Sequence, residues 1–342
     1  MADAFLRLSA DDQREVLEIV RERTQRPTLL LEKDVWVVWA LNALFNSILA
    51  GDLTFKGGTS LSKAYKVIDR FSEDIDLTLD IRKLLPDLTG GAGFLPPSRS
   101  QASKWTRAVR ARLPGWLATA VLPVLEAALA RDQLHATLEI GGEDKDKLLL
   151  HYPAVKPSSG YVRTVVTLEF GGRATGEPHQ ALPVTCDMAG YVQGILFPTA
   201  TPVVMSVART FWEKATAAHV YCAQGRIRGE RYARHWHDLA AIARSGHFAD
   251  ALSNRQVAMA VAEHKSFFFP EKDAEGGTLD YRTTVSGGIC IVPEGAAREA
   301  LREDYAAMIG DAMMLGDPLD FDQLMHACAE IQHQANKLAT IG

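Results

Sequence analysis

The sequence predicts an α+β protein, in which a mixed sheet with flanking helices is followed by a mainly helical C-terminal lobe. Three patterns support this prediction. A strand–turn–helix–strand sequence occupies residues 53–80, strand-type alternation dominates residues 135–198, and helical periodicity dominates the remainder. We therefore expect two lobes, residues 1–200 and residues 201–342, with the second completing a cleft.

The composition is that of an ordered protein in a reducing compartment. Hydrophobic residues make up 47% of the 342 residues, so the chain can bury a substantial core. The four cysteines are scattered without a C-x-x-C pair, which argues against a zinc site or a disulfide framework. No secretory signal and no apolar run long enough to cross a membrane are visible, so we expect a cytoplasmic protein.

Two helices are predicted before the first strand. Ser9 has the position of a helix cap, and apolar residues follow it at helical spacing. A strongly apolar helix is predicted over about residues 27–50. The charged triplet Glu32-Lys33-Asp34 interrupts its apolar run, and such a triplet is usually a solvated turn.

The most informative stretch contains the glycine-rich turn Gly57-Gly58-Thr59-Ser60. A strand at Leu53–Lys56 is predicted before this turn, a helix at residues 60–69 after it, and then a strand at Asp74–Asp80. Side chains alternate faces along a strand, so Asp74 and Asp76 point the same way, about 7 Å apart.

This stretch suits a nucleotide. Two convergent carboxylates are hard oxygen ligands for Mg²⁺, which usually keeps water and substrate phosphates as its other ligands. The turn offers backbone N–H groups and a helix N-terminus, which favour a phosphate. Ser60 either contacts a phosphate or caps the helix, and Arg70 either contacts a phosphate or pairs with Glu73. The alternative for the whole stretch is a β-turn followed by a solvated strand edge.

The later elements follow from composition and periodicity. Residues 85–100 are rich in glycine and proline and indicate a loop, whereas residues 104–129 are predicted to be helical. Residues 161–170 form the clearest later strand. A glycine-rich, hairpin-like stretch at residues 276–293 interrupts the helices of the C-terminal lobe.

Basic residues are clustered, although the net charge of −5 does not indicate a nucleic-acid binder. No acidic residue occurs between positions 87 and 126, a stretch that contains Arg107 and Arg110. A second cluster contains Arg231 and Arg234. Each cluster is either a solvated helix face or a surface that follows a phosphate backbone.

Segments along most of the chain carry a resemblance to a known family. They are residues 31–37 (LEKDVWV), 55–63 (FKGGTSLSK), 70–77 (RFSEDIDL), 208–215 (ARTFWEKA), 234–239 (RHWHDL), 266–270 (SFFFP) and 304–322. In this order they resemble the nucleotidyltransferases of AbiEii/AbiGii-type toxins, a branch of the polymerase-β-like superfamily.

The resemblance implies a polymerase-β-like core that transfers a nucleoside monophosphate from an NTP. Asp74 and Asp76 would hold Mg²⁺ or Mn²⁺, and Glu169 would be either a third carboxylate or an exposed strand residue. Lys214 and Asp238 match the family's lysine and aspartate motifs. Lys214 would contact the triphosphate, with a snorkelling lysine as the alternative. Asp238 would be catalytic or organising, whereas in isolation it would cap a helix or pair with an arginine.

The resemblance also implies biological partners. The protein would be the toxin of a type IV toxin–antitoxin or abortive-infection system, with an antitoxin encoded nearby. The acceptor would be RNA, in particular a tRNA 3′ end, contacted by the arginines at positions 107, 110, 231 and 234. Two other functions stay open, namely a nucleotide-binding module that has lost transfer and a kinase-like phosphotransferase that acts on a protein.

Overall fold

The structure is a computed structural model that describes residues 3–72, 74–90, 93–155, 164–226, 232–310, 314 and 316–339. Its helices are α1 (Ala10–Thr24), α2 (Thr28–Phe45), α3 (Gly57–Lys63), α4 (Ile81–Leu84), α5 (Pro86–Thr89), α6 (Arg99–Trp116), α7 (Leu122–Asp132), α8 (Val207–Gln224), α9 (Arg234–Ala243), α10 (Phe248–Ser253), α11 (Arg255–Phe268), α12 (Tyr281–Val285), α13 (Gly295–Gly310) and α14 (Phe321–Ala339). Its strands are β1 (Asp3–Ala4), β2 (Leu53–Lys56), β3 (Asp74–Asp80), β4 (Thr137–Gly141), β5 (Lys147–His151), β6 (Val165–Ala174), β7 (His179–Ala181), β8 (Val184–Thr185), β9 (Ile195–Leu196), β10 (Thr199–Ala200) and β11 (Val203–Met205).

The chain forms two compact units. The first contains Met1–Ala64, Ser72–Phe94 and Trp105–Val204, and the second contains Tyr65–Phe71, Leu95–Lys104 and Met205–Gly342. The lobe boundary predicted at residue 200 stays a prediction.

A mixed sheet organises the first unit. Its described strands lie in the order β4-β5-β6-β3-β2-β11-β7, with β3 in the centre. β3 runs parallel to β6 and antiparallel to β2. The predicted α+β class with a mixed sheet and flanking helices is therefore confirmed.

Helices pack on one another in the second unit. α8 packs against α9, α10 and α11, and α14 packs against α9. The large side chains Trp212 and Trp236 are completely buried, and each indole N–H donates to a backbone carbonyl, that of Ala251 and Ile291 respectively. Such bonds let a tryptophan fill a core without leaving its polar atom unpaired.

Several local predictions are confirmed and others are wrong. Ser9 caps α1 by accepting the N–H of Asp12, as predicted. The triplet Glu32-Lys33-Asp34 is not a solvated turn, because it lies inside α2 and is buried. The stretch at residues 276–293 contains helix α12 instead of a hairpin. Of the strand predicted at residues 161–170, positions 161–163 lie outside the described residues.

One continuous helical stretch is long and strongly apolar. Arg99–Asp132, which joins α6, a π-helical turn at Leu117–Val121 and α7, is long and apolar enough to cross a membrane on length and composition. The prediction that no run reaches that length is therefore not met on these two criteria. Core helices of soluble proteins satisfy the same criteria, so a single such helix is weak evidence for a membrane span.

Candidate active site

Two aspartates lie on one face of the central strand β3. Asp74 and Asp76 are half-buried, whereas Ile75 and Leu77, which alternate with them, are fully buried. The strand thus turns its apolar side chains into the core and both carboxylates to the opposite face, as the sequence predicts.

A third carboxylate, that of Glu169, lies beside them on the neighbouring strand β6. The parallel register sets Asp76 opposite Glu169 and Asp74 opposite Thr167. Paired residues on adjacent strands are separated by about 5 Å and point to the same face. Three acidic side chains therefore share one face of the sheet.

A lysine on the next strand is held by this group of acids. Lys147 of β5 pairs in register with Glu169 and forms an ion pair with its carboxylate. The hydrogen bond with Glu169, supported by the charges of Asp74 and Asp146, raises the pKa of Lys147. The carboxylates on this face therefore attract a cation.

The glycine turn lies directly against one of the carboxylates. A Cβ atom placed on Gly57 would lie 2.0 Å from Oδ2 of Asp76, and the φ of Gly57 is +77°. Both the close contact and the left-handed backbone require glycine at this position. The first residue of α3 is thus fixed beside the carboxylate of Asp76.

The hydroxyl groups of the turn form hydrogen bonds with other groups of the protein. Thr59 and Ser60 are completely buried. The hydroxyl of Thr59 donates to the carbonyl of Asp74 and lies 2.9 Å from Oγ of Ser72, while the hydroxyl of Ser60 donates to the carbonyl of Gly57 at 2.9 Å. These bonds hold α3 on β3. A phosphate contact from this turn would therefore use backbone N–H groups of the glycines.

The donor set of this face fits a divalent cation. Magnesium sites commonly use one or two protein carboxylates and take the remaining ligands from water and substrate phosphates. Asp74 and Asp76 meet that requirement. Within the described residues, no group of three histidine, cysteine or acidic side chains is placed to hold a metal ion. Glu169 forms an ion pair with Lys147.

In the second unit, Asp238 is the centre of a buried ion network. Its carboxylate accepts two hydrogen bonds from the guanidinium of Arg70, both 2.8 Å long. Nζ of Lys214 lies 2.8 Å from the carboxylate as well. Arg70 thus forms an ion pair with Asp238. Glu73, which the sequence suggested as its alternative partner, lies outside the described residues.

The charge of Asp238 is stabilised by its partners. Burial by itself would raise the pKa of this carboxyl, but the charges of Arg70 and Lys214, with hydrogen bonds from Arg70 and His237, hold its pKa well below the usual range. The ion pair with Asp238 in turn holds the ammonium group of Lys214 in place. Asp238 and Arg70 are therefore placed to position Lys214.

The predicted RNA-binding arginines have mixed surroundings. Arg107 and Arg110 are exposed on α6, and Arg110 lies 3.5 Å from a carboxylate oxygen of Asp144. Arg234 is exposed at the start of α9, whereas Arg231 lies outside the described residues.

Sequence reasoning missed a second buried ion network, in the first unit. Nζ of Lys63, the last residue of α3, lies 2.5 Å from Oδ1 of Asp34 and 2.6 Å from Oδ1 of Asp187. Asp34 also accepts the backbone N–H of Asp187 at 2.7 Å. The available signal was the charged triplet in the apolar run of α2, because a charge buried in such a run needs a partner. This network ties α3 to α2.

Comparisons with known proteins identify the family of this chain. A family model described as nucleotidyl transferase AbiEii toxin, type IV toxin–antitoxin system, matches residues 39–327. The solved structure of MenT4, a nucleotidyltransferase toxin from Mycobacterium tuberculosis H37Rv, is similar with 17% identity and a TM-score of 0.43, covering 98% of this chain and 99% of that chain. Curated proteins yielded no match. Because the family model spans well over half of its length, the chain belongs to the AbiEii family of nucleotidyltransferase toxins of type IV toxin–antitoxin systems.

Proposed function

We propose that this toxin transfers a nucleoside monophosphate from an NTP to an RNA 3′ end, in particular that of tRNA, in a Mg²⁺-dependent reaction. The observation that carries this proposal is the sheet face shared by Asp74, Asp76 and Glu169. Paired carboxylates beside a glycine turn suit a triphosphate with its bound cation.

The proposed reaction is an in-line displacement at the α-phosphate. The oxygen of the acceptor hydroxyl bonds to the α-phosphorus, the bond from that phosphorus to the bridging oxygen breaks, and pyrophosphate leaves. A carboxylate of the acidic face accepts the hydroxyl proton. When bound at Asp74 and Asp76, a divalent cation would supply positive charge that orients the triphosphate and stabilises the transition state. Manganese would serve in the same way.

Glu169 is proposed as the third acidic group of this reaction. It is paired with Lys147, so its participation requires that this ion pair opens. Lys147 is partly exposed and can move toward phosphate oxygens, which are alternative acceptors for its ammonium group. Opening of the pair would then be linked to arrival of the nucleotide.

Lys214 is proposed to neutralise charge on the leaving pyrophosphate. An ammonium group suits this role because it donates in several directions without a fixed plane. The support is its motif match and its ion pair with Asp238, which is itself held by hydrogen bonds from Arg70. In this proposal Asp238 and Arg70 are positioning residues.

The decisive experiment uses NTPs labelled at the α- or the γ-phosphate, incubated with total RNA, with and without Mg²⁺. We expect α-label in RNA and none after chelation. Transfer of γ-label to a protein would instead identify a kinase, and binding without transfer would identify a nucleotide-binding module.

Asp74→Asn and Asp76→Asn test the carboxylates directly. Each should lower α-label transfer by more than about 100-fold, because removal of a group that merely supports a metal ligand already costs about 10–100-fold. Thermal melting should show a folded protein. Glu139→Gln, which removes an exposed carboxylate from β4 of the same sheet, is the matched control. Full transfer by either aspartate variant would contradict the proposal.

The family implies an antitoxin partner, and we propose that it is encoded nearby and that unopposed toxin arrests growth. Co-expression of neighbouring genes with the toxin tests this. Rescue of growth by a neighbour, together with continued growth of cells that carry Asp76→Asn alone, is the expected outcome.

A further inference from the structure

A cavity of about 70 Å³ lies in the first unit, beside the end of β6. β5 pairs with β6 as far as Lys147 opposite Glu169, whereas β6 continues to Ala174. The walls of the cavity come from α6, from residues 170–173 of β6 and from the turn between β4 and β5. Gly171, which lines it, lies two strand positions or about 7 Å beyond Glu169. The cavity therefore adjoins the acidic face.

Two adjacent glycines of β6 shape this cavity. A Cβ atom on Gly172 would lie 2.8 Å from Cδ2 of Leu84 and 3.3 Å from Cγ1 of Val109, so glycine allows α4 and α6 to pack closely on the strand. Gly171 faces the other way. Among the described residues, a Cβ atom on Gly171 would meet nothing closer than the carbonyl oxygen of Leu77, at 3.9 Å. Space for a ligand therefore opens at Gly171.

Two arginines and two aspartates line the cavity. Arg110 and Asp144 are exposed, and Nε of Arg110 lies 3.5 Å from Oδ2 of Asp144. Arg173 and Asp146 are half-buried. The backbone carbonyl of Asp146 accepts the N–H of Phe170 at 2.9 Å, which holds the turn against β6. Guanidinium groups donate hydrogen bonds and carboxylates accept them, so the cavity offers donors and acceptors together.

This combination suits a nucleobase better than a phosphate. The carboxylates of Asp144 and Asp146 would repel a phosphate, whereas the edge of a base presents donors and acceptors side by side. The apolar faces of a base would contact Val109, Leu113 and Phe170, which are buried and line the cavity. Because one water molecule takes up about 30 Å³, the cavity has room for the edge of one base but not for a whole nucleotide.

We propose that this cavity binds one unpaired base of the RNA strand, an inference that rests on the proposed RNA acceptor. Proteins recognise single-stranded RNA by stacking splayed bases on aromatic side chains or arginine planes and by hydrogen bonds to the base edges. Arg107 is exposed three positions before Arg110 on α6, so the same helix face can hold the adjoining phosphates. A base in the cavity would fix the register of the strand beside the acidic face.

The test measures binding of labelled RNA homopolymers of A, C, G and U in the absence of NTP. We expect the wild type to prefer one of them. Gly171→Leu, which fills the cavity, and Asp144→Asn, which replaces one acceptor, should each weaken binding of that homopolymer by about 10-fold and remove the preference. Glu143→Gln is the matched control, because it removes an exposed carboxylate from the same turn outside the cavity.

Thermal melting shows whether each variant is folded, and Asp144→Asn, at an exposed position, decides the matter if Gly171→Leu fails to fold. Affinities for the four NTPs should match those of the wild type. The inference is overturned if the wild type has no preference, or if the variants bind every homopolymer as the wild type does. Equal weakening for all four homopolymers would indicate a phosphate contact instead, and weaker binding of one NTP would assign the cavity to the incoming nucleotide.

Transfer of α-label to RNA by the wild type, measured in parallel, separates this inference from the proposed function. If transfer occurs while Gly171→Leu and Asp144→Asn keep the wild-type preference, the cavity assignment alone fails. If the wild type neither binds nor labels RNA, the RNA acceptor fails and this inference fails with it.

Discussion

Two buried threonines on α8 differ in whether their hydroxyl has a partner. The hydroxyl of Thr216 donates to the carbonyl of Trp212 at 2.6 Å, whereas that of Thr210 has no hydrogen-bond partner among the described residues. An unpaired buried polar group costs about 1–3 kcal/mol. Thr210→Val should therefore raise the free energy of unfolding by about 1 kcal/mol, and Thr216→Val should lower it by a similar amount.

Urea denaturation of both variants beside the wild type measures this difference. Each substitution replaces a hydroxyl by a methyl group on the same helix, so changes in helix propensity affect both variants alike. An equal loss of stability in the two variants would show that an internal water satisfies the hydroxyl of Thr210.

The carboxyl of Glu32 makes stability depend on pH. Burial is the main cause that raises its pKa to about 7, although the side chain accepts the N–H of Val155 at 2.8 Å. The native state thus binds the proton more tightly than the unfolded state, and stability falls as pH rises from about 4.5 through 7. Above pH 7, burial of the ionised Glu32 carboxylate lowers the free energy of unfolding by at most about 3 kcal/mol.

Glu32→Gln should remove this cost, since the amide oxygen can still accept the N–H of Val155. We expect the variant to be more stable than the wild type at pH 8 and nearly equal to it at pH 4.5. Denaturation at both values checks the prediction, with Glu139→Gln on an exposed position as the control for loss of a carboxylate. A difference that does not grow with pH would contradict it.

At the scale of elements, the approach of α3 to β3 depends on one glycine. Gly57→Ala would place a methyl group 2.0 Å from Oδ2 of Asp76 and would strain a backbone with φ of +77°. We expect α3 to shift away from β3, with a loss of about 2 kcal/mol of stability and loss of nucleotidyl transfer.

Gly51→Ala is the matched control, because its Cβ would meet no atom within 4 Å and Gly51 lies in an exposed turn before β2. The melting temperature and the α-label transfer should both be lower for Gly57→Ala than for Gly51→Ala. Normal transfer by Gly57→Ala would show that the turn is not part of the active site.

At the scale of the whole molecule, the predicted RNA surface can be tested through its dependence on salt. Each phosphate contact contributes about 0.7 to the slope of log affinity against log salt for a single strand. Arg107→Glu with Arg110→Glu should weaken RNA binding, make that slope shallower by about 1–2, and leave NTP binding unchanged. Filter binding at several salt concentrations gives the slope.

The control for charge reversal is Arg14→Glu with Arg21→Glu, which changes the net charge by the same amount on α1. If the two double variants weaken RNA binding equally, the effect is one of total charge. The α6 arginines would then be a solvated helix face.

Much of the first unit was predictable because its signals are local. The cap at Ser9, the strands β2 and β3 and the shared face of Asp74 and Asp76 depend on residues within a few positions of one another. Strand alternation and helix capping are properties of the backbone, so they can be inferred from sequence alone. Local sequence rules failed for Glu32-Lys33-Asp34, because three charged residues in a row predict a solvated turn, whereas packing buries them inside α2.

The fold class, the family and the paired aspartates of β3 could therefore be inferred from the amino-acid sequence. Which distant groups meet became known only from the folded chain. Glu169 joins the acidic face through the register of β3 and β6, and Arg70 finds Asp238 across 168 positions. The physical reason is that a buried charge takes whichever opposite charge the packing brings within hydrogen-bond distance, and periodicity along the chain carries no information about that partner.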